Sequence, residues 1–571
     1  MAGVNRAIAL TGRILLLQPW IEDFYATDCR IQPIGLAYLA GALARRFPEY
    51  ETTIYDCLAG GEKRTLAYPH EFAYLRRYYG RPRRGPFALF HQYYRFGKSI
   101  DRIRADLLAR APEAPVLIGI ASLFTPYYRQ SLALAAVCRE IFPDTPIVMG
   151  GNHATLHPRS LLAPPEANGG ADFVLRGEGE DGICQLVEAL RGERSFDSIA
   201  NLVTRDHLTT EGDTSAAGLT LPEPEAPELN DIARPIFTGL NPNDYSYNQQ
   251  PMSFLITSRS CPHHCSFCSI HAVFGQRYRV REVDDIFQEI LERYKQGVRH
   301  FDIEDDNFTV NKREVGRLLD RIIAARLPVK FSAMNGLSYI SLDRELLTKM
   351  RDAGFESLNL ALVSADQLAL RFADRPHTLE RFENILTIAA ELNLRVTAYF
   401  IAGMPHQTIA EMWQTLGTLA AGQCLVGASP FYFTPGSPIH RRERDNPAIR
   451  LASQKFSGDA LFSARLTAMD LECDQFDRDD IYTMFRLTRV INYVKAGLDQ
   501  GLAPDDAYFK PAITVFAHGH WGDGAGTDEA PFSPRVADEI EKHPPMIRGY
   551  ATDRACVWTG SGLREVTPAL R

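Results

Sequence analysis

Two kinds of hydrophobic pattern alternate along the first third of the chain. Segments in which apolar residues recur at helical spacing, such as 34–47 and 128–142, separate short apolar runs. The runs that predict buried strands are residues 13–18, 51–57, 115–121, 146–149 and 172–175. This βαβ order predicts an α/β domain over residues 1–195, with a flavodoxin-like or Rossmann-like parallel sheet between two helical layers. An insertion at 62–112, rich in Tyr, Phe and Arg, has a mainly helical pattern.

Residues 196–245, rich in Pro, Asn and Asp, are interpreted as a linker. A second alternation of strand and helix patterns follows this linker. The strand candidates of this second alternation are residues 254–257, 301–303, 330–333, 357–362, 395–401 and 427–433. Six repeats predict a partial (β/α)6 barrel over residues 246–445 rather than a complete eightfold barrel. Residues 446–571 are predicted to form a mainly helical domain, because their apolar residues recur at helical spacing.

Composition narrows the functional classes only a little. Of the 571 residues, 45% are hydrophobic and 23% are charged, as in ordinary globular proteins. The formal charge of −8 does not favour nucleic acid as a partner. No apolar run approaches the ~20 residues that a transmembrane helix needs, and the first residues lack the pattern of a signal peptide. We therefore expect a cytoplasmic protein without a transmembrane segment.

Three of the ten cysteines are clustered in the segment CPHHCSFC, at Cys261, Cys265 and Cys268. The cluster directly follows a predicted strand. Thiolates suit iron–sulfur clusters, and three ligands would leave one iron of a 4Fe–4S cubane open to another molecule. The alternative is a zinc site, but such sites usually combine two cysteine pairs, and no second pair is present. His263, His264 and His271 are the other candidate ligands on this loop.

The CxxxCxxC spacing after the first strand of a partial barrel resembles the radical S-adenosylmethionine superfamily. The resemblance implies that S-adenosylmethionine binds the open iron and is cleaved to a 5′-deoxyadenosyl radical, which abstracts hydrogen from a substrate. It also implies contacts to S-adenosylmethionine from residues near the strand ends, namely Phe267, Glu304, Asp305, Asp306, Ser364 and Gly403. The acidic run 304–306 is open to a second interpretation as a solvated turn, and Gly403 to one as a structural turn. Two interpretations are open for the alternating arginines after the cysteine loop: they face the cofactor carboxylate, or they form an exposed strand edge. These residues are Arg277, Arg279 and Arg281.

The first α/β domain resembles the cobalamin-binding domain that precedes the radical domain in one large subfamily (class B). The resemblance implies cobalamin contacts at strand ends, namely Ser122, Leu123, Gly150, Gly151, Gly177 and Glu178. The family motif DxHxxG aligns with Asp56 to Gly61, with Asp56 and Gly61 matching and Leu58 at the histidine position. Because leucine cannot bind cobalt, the resemblance implies base-off cobalamin without a histidine ligand from this position. The alternative is a flavodoxin-like fold whose crevice is empty or serves another ligand.

The resemblance leads us to expect methyl transfer to an unactivated carbon of a small molecule, without identifying a catalytic side chain. Oxidative cyclisation, as by the anaerobic magnesium-protoporphyrin monomethyl ester cyclase, and ring rearrangement are alternatives within the subfamily. A non-catalytic cobalamin or redox sensor is the alternative outside enzymes, since a fold does not determine a function. The resemblance also implies a low-potential electron donor such as ferredoxin or flavodoxin.

Overall fold

A computed structural model of the chain describes residues 8–25, 32–79, 87, 89–162, 170–208, 226–375, 378–456, 459–519, 521 and 532–567. The strands, numbered in chain order, are β1 (Gly12–Gln18), β2 (Ile21–Asp23), β3 (Tyr50–Asp56), β4 (Glu62–Leu66), β5 (Tyr93–Gly97), β6 (Leu117–Ala121), β7 (Ile147–Gly150), β8 (Phe173–Leu175), β9 (Leu202–Thr204), β10 (Ser246–Tyr247), β11 (Gln250–Leu255), β12 (Ser258–Arg259), β13 (Arg279–Val280), β14 (His300–Ile303), β15 (Lys330–Ser332), β16 (Ser357–Val363), β17 (Arg395–Ala402), β18 (Leu425–Pro430), β19 (Arg450–Leu451), β20 (Leu471–Glu472), β21 (Met546–Arg548), β22 (Ala555–Trp558) and β23 (Leu563–Val566).

The α-helices, numbered in the same way, are α1 (Ile34–Arg46), α2 (Arg76–Tyr79), α3 (Ile100–Leu108), α4 (Tyr128–Ile141), α5 (Asn152–Leu156), α6 (Pro158–Leu162), α7 (Gly179–Leu190), α8 (Ile270–Phe274), α9 (Val283–Lys295), α10 (Lys312–Ala325), α11 (Arg344–Ala353), α12 (Gln367–Phe372), α13 (Leu379–Glu391), α14 (Ile409–Ala421), α15 (Pro438–Glu443), α16 (Ala452–Phe456), α17 (Arg478–Asp499), α18 (Lys510–His518) and α19 (Pro534–Lys542). The chain divides into two compact units, the first formed by residues 1–66, 93–262 and 269–300 and the second by residues 67–92, 263–268 and 301–571.

The first unit is built on a six-stranded sheet with the order β3-β1-β6-β7-β8-β9. Neighbours from β3 to β8 are parallel, and β9 runs antiparallel to β8. The five parallel strands are those that the apolar runs predict. Strand β9 lies inside the segment 196–245, so the interpretation of that whole segment as a linker is wrong for residues 202–204.

Both faces of this sheet are covered, which explains why the inner strands β1 and β6 are nearly continuous apolar runs rather than alternating ones. Alternate residues of β1 enter different cores: Ile14 and Leu16 pack with α1 and α7, whereas Leu15 and Leu17 pack with α3 and α4. All four of these side chains are at most 1% exposed. The predicted sheet between two helical layers is therefore confirmed.

The described part of the insertion at 62–112 combines helices with strands that its sequence pattern does not predict. Its ends form strands β4 and β5, which pair antiparallel with each other, and β5 also pairs with β2. Helices α2 and α3 and the 3-10 helices at His70–Leu75 and Ala111–Glu113 agree with the predicted helical pattern. Tyr93, Tyr94 and Phe96 favour an extended backbone, because aromatic side chains pack well on a pleated surface, and all three are buried there.

The second unit contains β14 to β18, separated by α10, α11, α13 and α14. Strands β16, β17 and β18 are parallel neighbours, and isolated parallel bridges join Phe331 to Phe355 and Leu337 to Leu360. The β/α alternation matches the predicted partial barrel. Its C-terminal part is mainly helical, as predicted, and adds a small antiparallel sheet, β21-β22-β23.

The described residues in the middle of the insertion, 67–79, 87 and 89–92, belong to this second unit, and several of them pack on its C-terminal part. The hydroxyl of Tyr74 donates to the carbonyl of Ala468 at 2.7 Å, and that of Tyr79 donates to the carbonyl of Thr467 at 2.9 Å. The ring of Phe72 stacks on Phe462 with a centroid distance of 5.0 Å. These contacts join segments almost 400 residues apart in sequence.

Within the part of the chain that the structure describes, no helix combines the length and apolarity that crossing a bilayer requires.

A buried lysine stabilises the core of the second unit. Lys495, on α17, is 0% exposed, and its ammonium donates to the carbonyls of Ala420, Gly422 and Arg548 at 2.7, 2.6 and 2.9 Å. The first two carbonyls lie at the C-terminal end of α14, where backbone oxygens lack helical partners and the helix dipole favours a cation. Burial nevertheless lowers the pKa of Lys495 to about 8.

We expect Lys495→Met to destabilise the protein by about 3 kcal/mol, because three buried carbonyls lose their donor. Between pH 8 and the ordinary lysine pKa, the unfolded chain binds the proton that the folded chain has released. Wild-type stability should therefore gain a contribution as pH rises through this window, and the variant should lack it. Unfolding midpoints measured from pH 7 to 10 test both effects. Lys510→Met, at an exposed position, is the control, and equal midpoints for the two variants would contradict the assignment.

Candidate functional site

A cleft with a cavity volume of about 220 Å³ opens at the carboxyl ends of the parallel strands of the first unit. Ligands of open α/β sheets bind at this edge, because the loops that follow the strands can shape themselves there. The walls are largely apolar. They include residues from the ends of β1, β6, β7 and β8 and from the start of α1, among them Gln18, Leu39, Ala121, Val148, Leu175 and Ile183.

Glycines provide much of the cleft surface, namely Gly35, Gly119, Gly150, Gly151, Gly177 and Gly179. A side chain at Gly35 would meet nothing within 4 Å, so its surface is open toward the cleft. Gly151 has a φ of 116°, and a Cβ there would lie 2.7 Å from the carbonyl oxygen of Ser122. Walls without side chains let a bulky, flat ligand approach the backbone closely.

The residues predicted to contact cobalamin divide into two groups. Leu123, Gly150, Gly151, Gly177 and Glu178 all line the cleft. Ser122 lies between two lining residues, and its buried hydroxyl has no hydrogen-bond partner in the part of the chain that is described. An unsatisfied buried hydroxyl is costly, so a polar group of a ligand would complete it.

The second group, Asp56, Leu58 and Gly61, is not among the residues that line the cleft. The Asp56 carboxylate accepts from the hydroxyl of Tyr245 at 2.6 Å and from the backbone N–H of Leu58 at 2.7 Å. Burial raises the pKa of Asp56, and these hydrogen bonds oppose the rise. A Cβ at Gly61 would lie 2.1 Å from the backbone of Gly97. Asp56 and Gly61 thus hold the chain after β3, which sequence alone does not distinguish from ligand binding.

A buried cluster of four charges lies at the rim of the cleft. The side chains of Glu178 and Arg279 are 1% and 3% exposed, and those of Glu180 and Arg259 are 7% and 8% exposed. Arg259 donates to Glu178 and to Glu180, both at 2.5 Å, and Arg279 donates to both carboxylate oxygens of Glu178. Burial alone would lower the pKa of Arg259, but the two carboxylates raise it above its usual range. Two positive and two negative charges balance within this cluster.

Arg279 and Arg281 are therefore not an exposed strand edge. Arg281 is buried, with its guanidinium bonded to Asp285 at 2.6 Å and to Glu289 at 2.7 Å. It also donates to the hydroxyl of Tyr38 at 3.0 Å. Only Arg277 of this alternating trio is exposed, and it pairs with Glu228.

The cysteine loop begins directly after β12, which pairs antiparallel with β13. Ser260 has a φ of 69°, and its hydroxyl donates to the carbonyl of Gly275 at 2.7 Å. A ring nitrogen of His271 lies 2.6 Å from the carbonyl oxygen of Cys261. His271 thus contacts the backbone of the first cysteine, as expected for a supporting neighbour.

The rest of the loop is held within the second unit. Cys265 is buried, and Arg375 donates to its sulfur at 3.5 Å and to the carbonyl of Ala361 at 3.1 Å. The backbone N–H of Ser266 donates to the carbonyl of Ala373 at 3.0 Å. The guanidinium of Arg375 thus orients the Cys265 side chain through its sulfur. Among the described residues, no three His, Cys, Asp or Glu side chains converge into a ready-made metal site, so the donor chemistry of the three cysteines carries the assignment.

The residues predicted to contact S-adenosylmethionine lie on the cysteine loop and after three strands of the second unit. Glu304, Asp305 and Asp306 follow β14, and the Glu304 carboxylate accepts from Asn335 at 3.0 Å. Phe267 is half-buried on the cysteine loop. The strand ends thus bring these candidates to one edge of the β/α repeat, the edge that parallel barrels use for function.

Ser364 and Gly403 have structural roles at that edge. The Ser364 hydroxyl is fully buried, lies 3.3 Å from that of Thr415 and accepts from the backbone N–H of Asp366 at 3.1 Å. Gly403 has a φ of 84°, and its N–H donates to the side-chain oxygen of Gln407 at 2.9 Å. Both residues shape the turns after their strands.

Arg259, Arg375 and Gly35 are the residues that sequence reasoning missed. Arg259 lies two positions before the first cysteine, and that proximity was the signal available. Arg375 is 110 residues from the sulfur that it contacts, and Gly35 begins an ordinary helix, so no local pattern distinguishes either residue.

Gly151→Ala should destabilise the first unit by about 1–3 kcal/mol, because it combines a left-handed backbone with a clash against Ser122. The neighbouring Gly150→Ala is a matched control, since its Cβ would approach nothing closer than 3.6 Å. Thermal unfolding of the two variants tests this difference. Equal melting temperatures would mean that the loop after β7 tolerates side chains at both positions.

Comparisons with known proteins agree with this geometry. A model of the radical SAM superfamily matches residues 255–419, and a model of the B12 binding domain matches residues 92–187. The chain is 28% identical over 419 residues to cytidylyl-2-hydroxyethylphosphonate methyltransferase from Streptomyces wedmorensis, which covers 69% of this chain and 73% of that protein. It is 28% identical over 286 residues to the anaerobic magnesium-protoporphyrin IX monomethyl ester cyclase from Cereibacter sphaeroides, which covers 49% of this chain and 45% of the cyclase.

A solved structure shares the fold. The radical S-adenosylmethionine methyltransferase TsrM from Kitasatospora setae, solved with cobalamin and a 4Fe–4S cluster bound, superimposes with a TM-score of 0.57 at 17% identity. The match covers 77% of this chain and 80% of TsrM. With a radical SAM domain that follows a B12 binding domain, the chain belongs to the radical S-adenosylmethionine enzymes that contain a cobalamin-binding domain.

Proposed function

We propose that the protein transfers a methyl group to an unactivated carbon of a small molecule, using S-adenosylmethionine, a 4Fe–4S cluster and cobalamin. The observation that carries this proposal is the pairing, in one chain, of a CxxxCxxC loop with a glycine-walled apolar cleft at the edge of a parallel sheet. The similarity to a methyltransferase over 69% of the chain supports it.

Cys261, Cys265 and Cys268 are the proposed cluster ligands. Arg375 supports this role, because its guanidinium donates to the Cys265 sulfur and holds that side chain in place. Phe267, Glu304, Asp305 and Asp306 are the proposed contacts to S-adenosylmethionine, since they lie on the cysteine loop and after β14. We assign Ser364 and Gly403 to the support of that edge, because their polar groups are bonded within the protein.

The cleft of the first unit is the proposed cobalamin site. Its apolar glycine walls fit a large flat macrocycle, and the hydroxyl of Ser122 supplies a polar contact. Among the described residues that line the cleft there is no histidine, and Leu58 lies off the lining. The lining without a histidine supports base-off cobalamin that has no histidine ligand from position 58.

In the proposed reaction, the bound cofactors supply a one-electron cleavage of S-adenosylmethionine and a carrier for the methyl group. The protein positions these cofactors: the three cysteines would hold the iron–sulfur cluster, and the cleft would hold cobalamin. The apolar walls exclude water from the carrier, which protects reactive species from side reactions. A ferredoxin or flavodoxin in the cytoplasm is the proposed source of electrons.

Oxidative cyclisation is the second candidate, because the chain is also 28% identical to an anaerobic cyclase over 49% of its length. The two reactions differ in their products. A methyltransferase releases S-adenosylhomocysteine and adds a carbon to the substrate, whereas a cyclase forms a ring without doing so.

The first experiment is reductive cleavage of S-adenosylmethionine by anaerobically reconstituted protein. Wild type should bind about four irons and produce 5′-deoxyadenosine after reduction, and Cys261→Ala should do neither, because it removes one of the three thiolates. Iron content and nucleoside yield are the measurements. If wild type assembles no iron–sulfur cluster, the proposal is wrong and a zinc site or a sensor becomes the better interpretation.

The cobalamin site is tested by filling the cleft without straining the backbone. Gly35→Leu places a side chain in open space at the start of α1, so we expect folding to be retained and hydroxocobalamin affinity to fall at least about tenfold. Gly417→Leu is the matched control, because it lies on α14 and also has nothing within 4 Å of its Cβ. Equal affinity in the two variants would place cobalamin elsewhere.

A further inference from the structure

The charge cluster at the rim of the cleft lies on the same short segment of chain as the first cysteine. Arg259 is the last residue of β12, and only Ser260 separates it from Cys261. Arg259 is itself among the residues that line the cleft. Its guanidinium is bonded to Glu178 and Glu180, which follow β8 at the cleft rim.

Glu178 is the centre of this arrangement. It precedes α7, and its carboxylate is shared by Arg259 and Arg279. These two arginines are direct partners across the β12–β13 pair. One carboxylate from the B12 binding domain thus joins the two short strands that start the cysteine loop.

The backbone after Arg259 leaves little freedom to move independently. Ser260 adopts a left-handed conformation, which is costly for a residue with a side chain, and its hydroxyl is bonded to Gly275. The carbonyl of Cys261 is held by His271. A shift of Glu178 is therefore transmitted through Arg259 to the backbone of Cys261.

We propose that Glu178 is a positioning residue that couples occupancy of the cleft to the geometry of the cysteine loop through Arg259 and Arg279. The inference rests on the proposed function, because it takes cobalamin as the occupant of the cleft. A large ligand against Glu178 and Arg259 orders both, and the order extends to the peptide that carries Cys261. The same ion pairs make the cleft wall dependent on Arg279, which does not itself line the cleft.

Arg279→Lys is the principal test variant. Lysine keeps the charge but cannot make the two parallel bonds that a guanidinium makes to one carboxylate. Glu178→Gln is the second variant, and it leaves two buried guanidiniums facing one carboxylate. Glu188→Gln is the matched control: Glu188 lies on the same helix, α7, and pairs with Arg46 and Arg194, but it does not line the cleft.

Two measurements on the full-length protein are needed, namely hydroxocobalamin affinity by absorbance titration and hydrogen exchange of the peptide 257–262 with and without hydroxocobalamin. In wild type and Glu188→Gln, hydroxocobalamin should slow exchange of this peptide. In Arg279→Lys, we expect affinity to fall about tenfold and the slowing to be lost even at saturating ligand. A purely structural ion pair would lower the melting temperature but leave the ligand-induced slowing intact.

The outcomes separate the inference from the function on which it rests. If wild type does not bind hydroxocobalamin, the proposed function fails, and this inference fails with it. If wild type binds it and Arg279→Lys retains both the affinity and the slowed exchange, the proposed function stands and the coupling through Glu178 is overturned. Should Glu178→Gln fold poorly, Arg279→Lys still decides the question, because it keeps the charge balance.

Discussion

A buried charge must be met by an opposite charge and by hydrogen bonds, since desolvation otherwise costs several kcal/mol. The first unit depends on this constraint. It buries Glu178, Glu180, Arg259 and Arg279 in one balanced set, which joins the loop after β8 to the strands that start the cysteine loop. Such an ion-pair network fixes the relative positions of its side chains, because a guanidinium donates parallel hydrogen bonds only in a few orientations. The relation between the B12 binding domain and the start of the cysteine loop is therefore set by charge rather than by apolar packing alone.

Most of the cleft lining meets the same constraint differently, because it contains few polar groups that would need a partner. Much of the lining is glycine backbone and aliphatic side chains, although Glu178, Glu180 and Arg259 of the charge cluster also line the cleft. Ser122, between two lining residues, has a buried hydroxyl without a hydrogen-bond partner among the described residues. A surface of this type gains affinity mainly from shape and burial, while isolated polar groups set orientation. The charge cluster and the apolar lining thus lie next to each other at the carboxyl edge of the same sheet.

The sequence predicts those helices and strands whose buried residues form a local apolar pattern. The five parallel strands of the first sheet and the six strand candidates of the second α/β segment are predicted from short local patterns, and the structure contains all of them. Strand β4 could not be predicted in this way, because Glu62, Lys63 and Arg64 are exposed and its pairing with β5 is decided by distant residues. The same limit applies to the site. The cysteine spacing is local and readable, whereas the contact between Glu178 and Arg279 joins residues 101 positions apart. The role of Asp56 likewise depends on Tyr245, 189 positions away.

The packing of residues 67–92 on the C-terminal part of the second unit has a consequence for synthesis on the ribosome. Tyr74 is translated 394 residues before the carbonyl of Ala468 that it binds. At about 5–20 residues per second, this aromatic segment waits roughly 20–80 s for its partner. Phe72 and Tyr79 are fully buried in the finished protein, and their partners Phe462 and Thr467 have not yet been synthesised during that interval. Chaperones that shield aromatic segments should therefore contact this loop of the nascent chain, even though it lies early in the sequence and inside a domain whose neighbouring strands are already complete.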